Sequence, residues 1–276
     1  MLRLRVVQGS LIVVQMEINS SGPFDFVVDT GSQVTIIDPL LASELHVVVQ
    51  GTTGFGGVAT YSRQGFAYLD LIEAGANVVP KLLAVIKEIG QLKAADVRIR
   101  GILGANFLEH FDLLIDNRQH ILCLDGSGVL ASEVNGERIA LAEPLGSQED
   151  LPFTRPIMVA AHLSASDKTQ VLLRLDSGSN AALLYVANSH FGGAPFHPAP
   201  QLKRVVDGVE QRFAVLPPQD VRIGKRSVRQ VSFVLPLNAI GVGPAPREDG
   251  LLPTMAFQRV FISYTGLYAK FDNWCY

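Results

Sequence analysis

Two short runs in this sequence carry matching acid and hydroxyl residues: Asp29-Thr30-Gly31-Ser32 and Asp176-Ser177-Gly178-Ser179, with the aspartates 147 residues apart. One such run alone says little, because Asp, Ser and Gly are common in ordinary turns. Here each run is fed by an apolar stretch, Phe26-Val27-Val28 in one case and Leu173-Arg174-Leu175 in the other. A carboxylate is thus delivered twice from a packed strand into a loop. Two carboxylates brought within a few ångströms cannot both ionise cheaply, so they share a proton and their titrations split apart. The ionised member can then take a proton from a water molecule while the protonated member hydrogen-bonds to a carbonyl oxygen. That chemistry requires no metal, no cofactor and no covalent intermediate. Around the carboxylates, the hydroxyls of Thr30 and Ser177 are suited to cross-linking the loops, and those of Ser32 and Ser179 to donating to the carboxylates. Gly31 and Gly178 leave room for close approach.

The elements that must position these loops also recur. Gly101-Ile102-Leu103-Gly104 follows the first aspartate and Gly250-Leu251-Leu252-Pro253 the second, ending 75 and 77 residues beyond their respective aspartates. Ala105 to Phe111 and Thr254 to Val260 then each read as a short amphipathic helix. Strand-like segments follow at Leu113 to Ile115 and His120 to Leu124, and again at Phe261 to Tyr264 and Leu267 to Phe271. Between aspartate and Gly-apolar-apolar element, each half has a hairpin signal, Gly54-Phe55-Gly56-Gly57 in the first and Asp207-Gly208 in the second. Glycines there would supply the positive φ of a tight turn. A repeat at this length makes each half one structural unit. Leu141 to Leu151, with Pro144 and Gly146, reads as the linker.

Composition agrees with a globular all-β chain. Of 276 residues, 48% are hydrophobic and 18% charged, and 25 Gly with 15 Pro imply many turns. A formal net charge of -3 offers no basic footprint for nucleic acid. Lys225, Arg226 and Arg229 read as a solvated turn. Cys123 and Cys275 form no disulfide framework, and whether they pair is open. The six histidines, at 46, 110, 120, 162, 190 and 197, have no zinc-ligand spacing. Asp38, Asp70, Asp112 and Asp116 are expected in turns or at strand ends. Arg3 and Arg5 precede an apolar run, but Gln8, Gly9, Ser10 and Gln15 interrupt it, so it reads as a first strand and not as a targeting or membrane-spanning segment. No Gly-x-Ser-x-Gly elbow or phosphate-binding loop is present.

Taken together, the two Asp-Thr/Ser-Gly-Ser loops, the apolar-apolar elements and the glycine hairpin resemble the pepsin and retropepsin superfamily of aspartic peptidases, especially its bacterial retropepsin-like members. The resemblance implies an all-β fold of two pseudo-symmetric closed-barrel lobes, residues 1–145 and 146–276, each with a short helix and with the cleft between them. It implies an aspartic endopeptidase, complete within one chain as a monomer, with Asp29 and Asp176 catalytic and Thr30, Gly31, Ser32, Ser177, Gly178 and Ser179 in support. It further implies a flap over a polypeptide substrate, carried by Gly54, Phe55, Gly56 and Gly57, with Tyr61 the candidate flap tyrosine. By analogy with the family, a compartment outside the cytoplasm is favoured. Ile102-Leu103-Gly104 matches the family's hydrophobic-hydrophobic-Gly support, whereas Pro253 departs from it and, lacking an N–H, is expected to alter the bracing of the second loop. The alternative reading is an inactive scaffold of the same fold that binds a peptide or a protein partner.

Overall fold

The computed structural model describes residues 2–56, 61–126, 128–142, 154, 156–164, 170–185, 200–206, 209–237 and 248–272. Within them the chain is mostly β, arranged in three sheets. The first-half sheet runs in the order Arg5–Val7, Leu11–Ile18, Ser21–Val28, Ile99–Leu103, Thr35–Ile37, Asn77–Ile86, Tyr61–Ala74, Gly51–Gly56. Its centre explains the Gly-Ile-Leu-Gly run. Ile99–Leu103 pairs in parallel with Ser21–Val28, Val28 opposite Leu103, and on its other side runs antiparallel to Thr35–Ile37, Ile36 opposite Ile102. A strand enclosed on both edges and packed on both faces must be apolar almost throughout.

The second-half sheet repeats this arrangement. Gly250–Pro253 pairs in parallel with Val171–Asp176, Asp176 opposite Pro253, and antiparallel with Ala182–Leu184, Leu183 opposite Leu251. In both halves the aspartate loop therefore arches over the end of an inserted apolar strand. Pro253 costs this ladder little. It takes an extended φ of -61° and ψ of 136° and leads into the next turn.

A third sheet joins the halves. Asp112–Asp116 pairs with Ile121–Asp125 on one side and antiparallel with Arg259–Ser263 on the other, and Arg259–Ser263 pairs in turn with Tyr268–Asp272. Leu114 stands opposite Phe261. These residues have the same 147-residue separation as the aspartates, so the register of this sheet and the positions of the loops follow one offset. Ile139–Ala140 adds to the Tyr268–Asp272 edge, which places the tail of the first half against the second. The boundary expected at 145/146 lies outside the described residues, as do Asp207-Gly208, Cys275, His190 and His197.

The buried core runs continuously through both halves, with Met16, Phe26, Leu103 and Phe107 from the first and Leu173, Leu252, Phe257 and Phe271 from the second. Phe257 and Phe271 pack with ring centroids 4.5 Å apart. Fully burying side chains of this size stabilises by about 1.5–3 kcal/mol each, enough for the core to fix the loops it carries. Among the described residues, no helix is long and apolar enough to cross a membrane.

Three local expectations are corrected. Ala105–Leu108 is helical, but the matching segment forms only a 3-10 turn at Thr254–Ala256, and the chain is already a strand at Arg259. Asn106 accounts for the difference. Its buried amide accepts from Thr35 N and Oγ1, at 2.7 and 2.9 Å, and donates to Leu83 O at 2.7 Å. Met255, at the matching place, can make none of these bonds. Asp70 lies exposed inside the long strand Tyr61–Ala74, not at a strand end or turn. Gly54 and Gly56 belong to the strand Gly51–Gly56, and neither has a positive φ. Gly54 is small because the Tyr61 ring crosses it, with Oη only 2.1 Å from where a Cβ would stand.

Candidate active site

Asp29 and Asp176 each stand at the end of a strand and are immediately fixed by their own loop. Asp29 Oδ1 accepts from Gly31 N at 2.8 Å and Ser32 N at 3.0 Å, and Asp176 Oδ1 accepts from Gly178 N at 2.8 Å. Asp29 N also donates to Leu103 O at 3.0 Å, tying the loop to the inserted strand, while Ala105 N donates to Ser32 O at 2.8 Å. Gly104 is required at that point, because a Cβ would lie 2.4 Å from the backbone of Val34.

The two loops are bolted to each other through Thr30 and Ser177, both buried. Thr30 N donates to Ser177 Oγ at 3.0 Å, and Ser177 Oγ donates to Val28 O at 2.8 Å. Reciprocally, Ser177 N donates to Thr30 Oγ1 at 3.1 Å, and Thr30 Oγ1 donates to Leu175 O at 2.9 Å. Each hydroxyl thus accepts from the opposite backbone and donates back to it two residues earlier. The result is that the aspartates meet. A Cβ on Gly31 would lie 2.7 Å from Asp176 Cγ and a Cβ on Gly178 would lie 2.5 Å from Asp29 Cγ, so each carboxyl sits against the other's loop.

Ser32 and Ser179 do something other than expected. Their hydroxyls donate to Val34 O at 2.8 Å and Ala181 O at 2.9 Å, closing each loop on itself. In the first loop it is the Ser32 backbone N–H that reaches the carboxylate.

Burial raises both carboxyls above the ordinary aspartate range. For Asp29, the N–H groups of Gly31 and Ser32 and the hydrogen bond with Asp176 oppose that rise. For Asp176, the negative charge of Asp29 adds to it, while Arg174 and Gly178 N oppose. Asp29 Oδ1 accepts two loop N–H groups and Asp176 Oδ1 one, so the loops favour Asp29 as the ionised member. Sequence reasoning passed over Arg174, Glu248, Tyr185 and Tyr264, which surround the dyad. Arg174 donates to Gly31 O at 2.8 Å and pairs with Glu248 at 2.7 Å. The Tyr185 hydroxyl is raised by burial and then by the charge of Glu248. The Tyr264 hydroxyl is raised by burial and by the charges of Glu109 and Asp29. The one visible signal was a charged residue in an otherwise apolar strand.

Gly54, Phe55, Gly56 and Tyr61 lie on one hairpin, with Gly54 opposite Arg63 and Gly56 opposite Tyr61. Tyr61 is 46% exposed. Phe55 is half-buried against the cluster containing Val85 and Ile89, with Lys87 Nζ 5.3 Å from its ring centre. Gly57 lies outside the described residues.

Residues 14–107 match the aspartyl protease family model. The matched stretch holds Asp29, the hairpin and the Ile102-Leu103-Gly104 support, and ends before Asp176. It supports a peptidase-type hydrolase of the aspartyl protease family. No curated protein matches the chain.

Proposed function

We propose that the protein is an aspartic endopeptidase of the bacterial retropepsin-like kind, complete in one chain, with lobes 1–145 and 146–276 and a polypeptide bound in the cleft between them. One observation carries this reading: two equivalent loops, cross-bonded through Thr30 and Ser177, set each of the carboxyls of Asp29 and Asp176 against the glycine of the opposite loop. A groove that merely bound peptides would have no physical need for two acids facing each other, one buried and one half-buried.

In the proposed reaction Asp29 is the ionised member, held by two N–H groups, and takes a proton from a water bound between the carboxyls. Asp176, protonated, donates to the carbonyl oxygen of the scissile bond as the water attacks. Asp176 gives up its proton to that oxygen, leaving a neutral tetrahedral gem-diol. On collapse the C–N bond breaks as Asp29 returns its proton to the leaving nitrogen and a gem-diol hydroxyl returns a proton to Asp176, so the dyad regains its one shared proton. The paired strands Gly51–Gly56 with Tyr61–Ala74, and Gln201–Val206 with Val209–Val215, offer edges on which an extended peptide can pair. Digestion of an unbiased peptide library by wild type beside Asp29→Asn and Asp176→Asn tests the proposal. Cleavage by wild type and loss in both variants is expected. Cleavage that survives either substitution overturns the mechanism, and peptide binding without any cleavage supports the scaffold reading.

A further inference from the structure

Position 174 breaks the likeness between the two halves. At the offset that relates Thr30 to Ser177 and Leu114 to Phe261, the counterpart of Arg174 is Val27, a fully buried apolar residue. The Arg174 side chain is only 19% exposed, a place where a guanidinium needs defined partners. Glu248, 3% exposed, provides one of them at 2.7 Å. That ion pair would serve a purely structural role if Arg174 ended there. It does not, because its other terminal nitrogen crosses to the opposite half and donates to Gly31 O at 2.8 Å.

Gly31 O and Ser32 N belong to a single peptide group. The N–H of that group donates to Asp29 Oδ1 at 3.0 Å. A cation held on the carbonyl end draws electron density along the amide and makes the N–H a stronger donor. The grip of Arg174 is thereby passed on to Asp29, in addition to its direct positive charge, which favours ionisation of both aspartates. Val27 has no donor with which to do the same for Gly178. The groups facing Asp29 are Asp176, Arg174 and Tyr264, and those facing Asp176 are Asp29, Arg174 and Tyr185. Of these, Arg174 alone is linked to one aspartate through its loop peptide.

We propose that Arg174, anchored by Glu248, is a positioning residue that holds the Gly31–Ser32 peptide, and with it the Ser32 N–H, against Asp29. The assignment rests on the dyad reading above and adds to it the device that makes two near-equivalent acids unequal.

The test uses the full chain with aspartate labelled at the carboxyl carbon, and Arg174→Gln, Arg174→Lys and Glu248→Gln beside wild type. Asp29→Asn and Asp176→Asn assign the two signals, and the pH titration of each is followed by NMR. In wild type the Asp29 signal is expected to titrate first. In Arg174→Gln it should move up by about one pH unit, toward Asp176, with Arg174→Lys between the two. Where peptide cleavage is measured, kcat should fall about 10- to 100-fold with KM changed less than about twofold, and the acid limb of the pH profile should move up. If Arg174→Gln does not unfold cooperatively on heating, Arg174→Lys and Glu248→Gln carry the test. An Asp29 titration unmoved in the folded variants overturns the proposal. A shifted titration in a protein that cleaves no peptide leaves Arg174 in this role and removes the peptidase reading instead.

Discussion

The carboxyl of Asp176 rests against the Cα of Gly31, so closely that a Cβ there would lie 2.7 Å from Asp176 Cγ. Gly178 has the same relation to Asp29 at 2.5 Å. Neither glycine has a positive φ, so it is contact and not backbone conformation that demands glycine. Gly31→Ala and Gly178→Ala are therefore expected to push the carboxyls apart and lower kcat by about 100-fold or more, since displacement by about 1 Å is enough for such a loss. Steady-state kinetics on a cleaved library peptide checks this. Thermal unfolding should move far less than activity.

Removing the cross-loop hydroxyls should cost stability as well as activity. Thr30→Val leaves Ser177 N without its acceptor in a buried place, and Ser177→Ala does the same to Thr30 N. Each is expected to destabilise by about 1–3 kcal/mol. Urea unfolding measures the loss, and the double variant should lose less than the sum because both residues serve one network.

The dyad should weaken the fold as pH rises. The folded-state pKa of Asp176 is raised by burial and by Asp29, so its contribution is fully present below the ordinary carboxylate range and is lost as pH climbs through the raised value. Asp176→Asn escapes that loss. It should match wild type near pH 4 and exceed it by about 1–3 kcal/mol at pH 8. Equal stability at both pH values would contradict a buried, proton-sharing pair.

Asp38 should behave in the opposite sense. Its carboxylate is fully buried; burial alone would raise it, but Leu41 N at 2.7 Å, Lys93 at 3.0 Å and Arg100 at 3.0 Å together hold it below the ordinary range. Its stabilisation is present above that range and lost as pH falls. Asp38→Ala should cost about 3 kcal/mol near neutral pH, with the gap narrowing in acid. Denaturant titrations at two pH values test the sign.

The two residues beneath the loops should respond unequally. Gly104→Ala drives a Cβ into the backbone of Val34 and should cost about 3 kcal/mol or more. Pro253→Gly changes a strand residue already at an extended φ and should cost about 1 kcal/mol or less, mostly through a freer unfolded chain. Circular dichroism melts of the two variants make the comparison.

The all-β class, the two loops and the apolar strands beneath them were legible in the sequence because each is a local pattern: alternation, a loop triplet, a run of Ile and Leu. The offset shared by Asp29 with Asp176 could be counted without coordinates, and Leu114 with Phe261 follows the same count. What the chain alone could not assign were the endpoints of side chains that reach across it. Ser32 and Ser179 looked like donors to the carboxylates, yet their hydroxyls close on Val34 and Ala181, since nearby carbonyls are within reach at no cost in reorientation. Gly54 looked like a turn glycine and proved to be the floor under Tyr61. Arg174 was one charge among leucines until Gly31 O, 143 residues away in sequence, was seen to receive it. Local propensity determines which residues enter strands and loops, whereas the partners of a buried hydroxyl or guanidinium depend on which distant backbone the packed core brings within 3 Å, and only the tertiary structure decided that.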